Sequence, residues 1–467
     1  MLTIQDADIH CTRRALLSVG GLALGGTLLP SLLADPARAA SNHVASGLIR
    51  GKSVIFLFQQ GGPSQFETFD PKMETPSGIR TVTGCTQTSI PGVVFGDTLE
   101  QLSRIAHKFT VVRSFQTGNA GHNIRPIVGP ESLEANLGTF YSHVAGPTHP
   151  VSAMPTNAVL FPQAVCDDVT RGNGRGDLAA TGPFGSAYAP FIPGGNGDLL
   201  KNLRLNVSPD RLQERHHLRS QLDQFARQFE AESRFESLDE NQRQAVEVLL
   251  SGRVADALDL SNEAPERVER YDTSRYAAPD DWSKSNRGRR GYYTGHAKSL
   301  GKSLLLARRL CEAGCGFVTV HCGYEGVWDM HADGNNLNMV DGMQAVGRSF
   351  DHAVAAFIED VEQRGLSDKI LLIATGEMGR TPRINRNGGR DHWAKLAPLL
   401  IYGGGTAPGQ VIGQSTRDGG EPATNPFTTA NLISTILHTL FDPALLRLEP
   451  DLNTISRLAE PETIVGL

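Results

Sequence analysis

The fold can be predicted from three segments of the chain. They are AGCGFVTVHCGYEGVWDMHADGNN (residues 313–336), DKILLIATGEMGRTP (368–382) and GGRDHWAKLAPLLIYGGG (388–405). Each contains a run of consecutive apolar residues, which is typical of a strand buried on both faces of a sheet. A helical pattern over about residues 340–364 separates the first two runs. This alternation of strand and helix predicts an α/β fold with a mixed, mostly parallel sheet.

Polar side chains cluster where these predicted strands end or begin. They are Asp329, His331, Glu377, Arg380, Asp391 and His392. In open α/β sheets, ligands bind beyond the carboxyl ends of the strands. The sequence therefore predicts a functional site at this edge of the sheet.

The residue types point to a divalent cation. Asp329 and His331 are two positions apart, so in an extended segment their side chains share one face. His392 supplies a third ligand and leaves a position open for substrate, as catalytic metal sites require. Glu377 serves the same ion or a second one, and Asp391 supports a ligand from outside or binds another ion. The alternative for each residue alone is a helix cap, a salt bridge or a satisfied core group.

Two further predicted strands, at residues 52–58 and 109–114, end in glycine-rich loops. The second loop, TGNAGHN, carries Thr117 and His122. We predict a role in the site for His122, and a structural or exposed histidine is the alternative. Catalysis by a serine triad has weak support, because the chain has no G-x-S-x-G motif and only Ser64 lies in such a loop.

The other segments are interpreted as scaffold. Charged residues and periodic apolar positions predict a helical insertion over residues 208–275. Helices are also predicted at 96–106, 298–313 and 425–440, whereas the Gly- and Pro-rich residues 130–205 are predicted to form long surface loops.

The N-terminal residues 1–39 have the pattern of a twin-arginine (Tat) signal peptide. Arg13 and Arg14 precede the weakly apolar run SVGGLALGGTLLPSLLA, and Ala37-Arg38-Ala39 offers a cleavage site. We expect export by the Tat machinery to the periplasm or beyond, with residues 45–467 forming the folded domain. An uncleaved anchor is the alternative.

Composition restricts the partners and the cysteine chemistry. The formal net charge is −6 and no block of basic residues is present, which argues against nucleic acid. Cleavage leaves five cysteines, an odd number, so at least one is not in an intramolecular disulfide. The spacing of Cys311, Cys315 and Cys322 matches no common structural zinc motif.

Several motifs together resemble a bacterial exported family of unknown function, family 1501, that is often described as sulfatase-like. They are QQGGPSQFETFDPK, LLARRLCEAGCGFVTV, WDMH, GEMGRTPRIN and GRDHW, and the resemblance extends from about residue 52 to the C-terminal helix. More distantly, the chain is similar to the alkaline phosphatase and sulfatase superfamily. That resemblance implies an alkaline-phosphatase-like sheet flanked by helices, with metals at the strand ends.

The resemblance also implies roles for individual residues. Asp329, His331 and His392 would hold one metal, while Gln60 and Glu377 replace the usual ligands of the other. Thr117 stands near the expected nucleophile. The formylglycine motif C-x-P-x-R is absent.

Two functions follow as hypotheses. The first is an exported hydrolase of phosphate or sulfate esters, small or polysaccharide, that uses Zn, Ca, Mg or Mn, with Arg380 or Arg390 stabilising developing charge. The second is an inactive metal-binding or assembly protein on the same fold. The sequence leaves the oligomeric state open.

Overall fold

The computed structural model describes residues 47–169, 175–194, 253–277 and 289–466. The predicted signal peptide and residues 208–252 of the predicted helical insertion lie outside these ranges. Within them, no helix combines the length and apolarity that crossing a bilayer would need.

Thirteen strands are described. In chain order they are β1 (Ser53–Phe58), β2 (Cys85–Gln87), β3 (Val94–Gly96), β4 (Thr110–Val112), β5 (Phe115–Gln116), β6 (Asn157–Leu160), β7 (Phe317–His321), β8 (Ile370–Thr375), β9 (Gly379–Arg380), β10 (His392–Trp393), β11 (Leu399–Gly403), β12 (Val411–Ile412) and β13 (Phe427–Thr428). Seven of them form the central sheet, in the order β12-β4-β11-β8-β1-β7-β6. Only β11 runs antiparallel to its neighbours there, so the prediction of a mixed, mostly parallel sheet is confirmed.

Strand β1 shows why the sheet is buried on both faces. Val54, Phe56 and Phe58 belong to one apolar cluster, and Ile55 and Leu57 belong to the other. Alternate side chains of a strand point to opposite faces, so each cluster is one layer of the core. A continuous apolar run is the sequence that such a strand requires.

Helices cover both faces of the sheet. They are α1 (Glu100–Arg104), α2 (Leu137–Ala145), α3 (Arg253–Leu258), α4 (Pro265–Arg270), α5 (Arg290–Glu312), α6 (Met339–Gly342), α7 (Arg348–Gln363), α8 (Thr429–Leu440), α9 (Pro443–Leu446) and α10 (Asn453–Leu458), and one π turn (Met343–Gly347) joins α6 to α7. Leu304 of α5 and Phe357 of α7 pack on one face. Phe140 of α2 and Leu432 of α8 pack on the other.

Two sequence predictions need correction. The described part of residues 130–205 is not only surface loop, because it contains the buried helix α2 and the sheet strand β6. Strand β6 has only four residues, which is too short to show a period. The C-terminal helix begins at Thr429 rather than near 425, because Phe427 and Thr428 pair with β5.

Candidate metal centre

Three strands of the sheet end level with one another. Phe58 pairs with His321 of β7 and with Thr375 of β8. The loops that follow β1, β7 and β8 therefore start at one edge of the sheet. Strand β11 is antiparallel to β8, so its beginning, and β10 just before it, lie at this edge as well.

Asp329, in the loop after β7, is the centre of a polar cluster at this edge and is only 3% exposed. Its Oδ1 lies 2.7 Å from Nη2 of Arg380 and 3.2 Å from Nε2 of His392. Its Oδ2 lies 3.0 Å from Nε2 of His122 and 3.0 Å from Nε2 of His331. The structure thus brings His331 and His392 together at Asp329.

The hydrogen-bond partners of two histidines, His392 and His122, are compatible with a bound cation. The Nδ1 of His392 lies 3.0 Å from the Ala120 carbonyl oxygen, and its Nε2 lies 3.2 Å from Oδ1 of Asp329. Both ring nitrogens therefore face acceptors, although a neutral ring has only one N–H. His122 lies between two carboxylates, since its Nδ1 is 3.2 Å from Glu377. A neutral ring has one N–H, so one carboxylate must face a lone pair unless a second proton or a metal ion is bound.

The charges of the cluster also favour a bound cation. Burial disfavours the protonated form of His122, but Asp329 and Glu377 outweigh it and raise the pKa of His122 to about 9. Burial alone would raise the pKa of Asp329, yet its hydrogen bonds to three histidines hold that pKa far below its usual range. The hydrogen bond between His331 and Asp329 also raises the pKa of His331. Asp329 is therefore a permanent anion surrounded by imidazoles.

The donor set fits a divalent metal ion. Ligand atoms of His122, Asp329 and His392 all lie within 4.8 Å of one another. Two imidazoles and a carboxylate form a common three-residue set for a catalytic metal. His331 lies beside this set with a side chain that is 24% exposed.

Glu377, at the end of β8, supports the cluster from outside. Its two carboxylate oxygens accept from the Gly61 N–H at 2.9 and 3.1 Å, and one of them binds His122. A carboxylate behind a metal-binding histidine fixes the ring and raises its basicity. Gly61 has a φ of +115°, and a Cβ there would lie 2.6 Å from the Asp329 nitrogen. Only glycine fits at this position.

Two predicted residues have other contacts. Asp391 is exposed and accepts from Nδ2 of Asn385 at 3.1 Å, so it lies outside the cluster. Adjacent side chains of an extended segment point to opposite sides, and its neighbour His392 takes the inner one. The Thr117 hydroxyl donates to the Glu377 carbonyl oxygen at 2.7 Å.

The two arginines are wholly buried. Arg380 donates to the carbonyl oxygens of Gly61 and Gly62 as well as to Asp329. Arg390 is paired with Glu67 at 3.0 Å. Both arginines thus hold loops and carboxylates in place rather than face solvent.

Two amide side chains complete this edge: Gln60, which the resemblance places at a ligand position, and Asn336, which sequence reasoning missed. Gln60, at the end of β1, accepts from Nε2 of His321 at 2.7 Å and donates to the Asn123 carbonyl oxygen at 2.9 Å. Asn336 donates to Asp329 at 2.8 Å. Neither contact has a local sequence signal, because each depends on how separate loops meet.

The fold and the site thus define an α/β protein with a candidate metal centre at the carboxyl edge of its sheet. The chain belongs to the family described as "Protein of unknown function (DUF1501)", whose model matches residues 51–444. The family resemblance of the motifs is confirmed. None of the curated proteins matches the chain.

Solved structures show weak similarity. The PsFucS1 sulfatase from Pseudoalteromonas sp. is 10% identical, with 86% of this chain and 70% of that chain covered and a TM-score of 0.35. The alkaline phosphatase from the Antarctic bacterium TAB5 is 13% identical, with 88% and 99% covered and a TM-score of 0.27. A phosphonate monoester hydrolase from Silicibacter pomeroyi is 12% identical, with 83% and 72% covered and a TM-score of 0.25.

Proposed function

We propose that the protein is a metal-dependent hydrolase of phosphate or sulfate esters. The observation that carries the proposal is the convergence of His122, Asp329 and His392 within 4.8 Å. When bound there, a divalent cation would polarise an ester oxygen and lower the pKa of a water molecule. The imidazoles favour Zn²⁺ over Mg²⁺, Ca²⁺ or Mn²⁺, which prefer oxygen ligands.

The chain's own residues divide the remaining work. His122 and His392 would hold the ion through Nε2, and Asp329 would supply the negative charge. His331 is half-buried and next to Asp329, so we assign it the proton that hydrolysis takes up or releases. We assign Thr117 and Arg380 to positioning, since the Thr117 hydroxyl proton and the Arg380 guanidinium are committed to carbonyl oxygens and Asp329.

The second candidate is a binding or assembly protein that keeps the ion but not turnover. The burial of Arg380 and Arg390 favours it. Neither guanidinium faces solvent, so neither meets the negative charge that develops on a transferred phosphoryl or sulfuryl group.

The test uses purified protein, its metal content, and a panel of small and polysaccharide phosphate and sulfate esters. We expect about one divalent ion per chain and hydrolysis of at least one ester. In His392→Ala, both the ion and the activity fall to background. His107→Ala, at an exposed histidine, is the matched control and behaves as the parent. A bound ion without hydrolysis of any ester favours the binding protein, and a parent without bound ion contradicts both candidates.

Export belongs to the same proposal. Arg13 and Arg14 before an apolar run support a Tat substrate that reaches the periplasm or the medium. Replacing both arginines by lysine is expected to retain the protein in the cytoplasm, measured by cell fractionation. Unchanged export of the double variant contradicts this assignment.

A further inference from the structure

Asn336 lies against the candidate ligands and has a half-satisfied side chain. It is 7% exposed. Its Nδ2 lies 2.8 Å from Oδ2 of Asp329 and 3.1 Å from Nε2 of His331. Among the described residues, its Oδ1 is buried and has no hydrogen-bond partner. A buried carbonyl oxygen without a partner is uncommon and destabilising.

The loop before Asn336 is shaped to present this amide. Oδ1 of Asp333 accepts from the N–H groups of Asn335 and Asn336 at 2.8 and 2.9 Å. The Ala332 N–H donates to the Leu337 carbonyl oxygen at 3.2 Å and closes the loop. Ala332 has a φ of +57°, a left-handed conformation that a residue with a Cβ rarely adopts. Such strain is found where the surroundings hold a functional residue in place.

The Asn336 amide has a donor end and an acceptor end. The donor end suits the site without a cation, and the acceptor end suits the site with a cation bound. Without a cation, the amide nitrogen must face Asp329, because an oxygen there would repel the carboxylate. A cation between Asp329 and the imidazoles attracts the oxygen end instead. A half-turn of the amide exchanges the two atoms, and Oδ1 gives up no hydrogen bond in leaving its present position.

We infer that Asn336 Oδ1 is a further ligand of the cation and that its amide turns over when the cation binds. The inference rests on the proposed metal centre. It gives the ion a mixed set of imidazoles, one carboxylate and one amide oxygen.

Cobalt substitution tests this directly, because the intensity of visible Co²⁺ absorption reports the coordination number. Three variants are compared with the parent: Asn336→Leu, Asn336→Asp, and Asn335→Ala as the control at an exposed neighbour. Metal affinity is measured by competition with a chromophoric chelator. Asn336→Leu is expected to absorb more strongly, having lost a ligand, and to bind Zn²⁺ about 10–100-fold more weakly. Asn336→Asp, which keeps an oxygen, is expected to retain the parent spectrum and at least the parent affinity.

The outcomes separate this inference from the proposed function. An Asn336→Leu protein with the parent spectrum overturns the inference, since Asn336 then only orients Asp329, while the metal centre stands. If Asn336→Leu does not fold, Asn336→Asp decides, and an affinity below that of the parent overturns the inference. A parent that binds no ion overturns the inference together with the proposed function.

Discussion

Glu377 acts on the cluster through His122, and its charge can be removed with little change in shape. Glu377→Gln keeps an oxygen that can accept from His122 but turns an amide N–H toward the Gly61 N–H. We expect metal affinity to fall by about 10–100-fold, the usual effect of losing a carboxylate behind a histidine ligand. Chelator competition measures the change, with Glu421→Gln, at a residue more than half exposed, as the control. Equal affinity in the variant and the parent would show that Glu377 does not support His122.

Substitutions at Thr117 test whether its hydroxyl is a nucleophile or only a structural hydrogen-bond donor. Thr117→Val preserves the side-chain shape but removes the donor 2.7 Å from the Glu377 carbonyl oxygen, which keeps the longer bond from Asn119 Nδ2 at 3.3 Å. We expect a loss of about 0.5–1.5 kcal/mol in the free energy of unfolding and retained ester hydrolysis. Urea denaturation and initial rates check the two parts. A stable but inactive Thr117→Val protein, with activity recovered in Thr117→Ser, would instead identify Thr117 as the nucleophile.

The sequence predicts the residues of the site whose geometry is local. Asp329 and His331 share a face because they are two positions apart, and His392 lies shortly before the apolar run that forms β11. Glu377 is predicted to serve the same ion or a second one, and in the structure its carboxylate accepts from the Gly61 N–H and contacts His122. Asn336 was missed because its role depends on the loop that follows His331.

At the scale of elements, a buried ion pair joins the loop after β1 to the loop before β10. Glu67 and Arg390 are both fully buried with a separation of 3.0 Å, and the guanidinium lies 4.1 Å from the centre of the Phe66 ring. Glu67→Gln leaves the Arg390 charge buried without its counterion. We expect a loss of about 3–5 kcal/mol in the free energy of unfolding.

Denaturant titration measures this loss, and an exposed pair supplies the control. The Lys395–Glu421 pair has side chains that are 53% and 54% exposed, so Glu421→Gln is expected to cost about 0–1 kcal/mol. The double variant Glu67→Leu with Arg390→Met should recover much of the stability, because no uncompensated charge remains. Equal losses in Glu67→Gln and Glu421→Gln would contradict a stabilising role for the buried pair.

Long apolar strands can be predicted from the sequence, whereas short elements and the strand order cannot. Strands β1, β7, β8 and β11 are long apolar runs and were predicted near their observed positions. Helix α2 and strand β6 were missed because they are short and lie among Gly and Pro. The strand order is set by contacts between distant segments, such as β1 between β7 and β8, and no local pattern encodes it.

For the whole molecule, two buried histidines link stability to pH. Burial lowers the pKa of His321 to about 4, and burial together with the nearby His321 lowers the pKa of His296 to about 3. In the unfolded chain a histidine has a pKa of about 6.5. The stability that each contributes is therefore fully present above pH 6.5 and is lost as the pH falls toward its folded value. In the metal-free protein, the raised pKa of His122 acts in the opposite sense and in another pH window, since its contribution is fully present below pH 6.5 and is lost as the pH rises toward about 9.

The size of the acid effect follows from linkage at about 1.4 kcal/mol per pH unit for each histidine. Between pH 6.5 and pH 5, each buried histidine is expected to remove about 2 kcal/mol from the free energy of unfolding. His321→Asn keeps an acceptor for the Gly323 N–H, which Nδ1 of His321 binds at 2.9 Å, but cannot titrate. Urea denaturation followed by tryptophan fluorescence at pH 7 and pH 5 should therefore show a smaller acid loss in His321→Asn than in the parent, by about 2 kcal/mol. His107→Asn, at an exposed histidine, should show the parent's loss, and an unchanged loss in His321→Asn would mean that His321 is protonated in the folded protein.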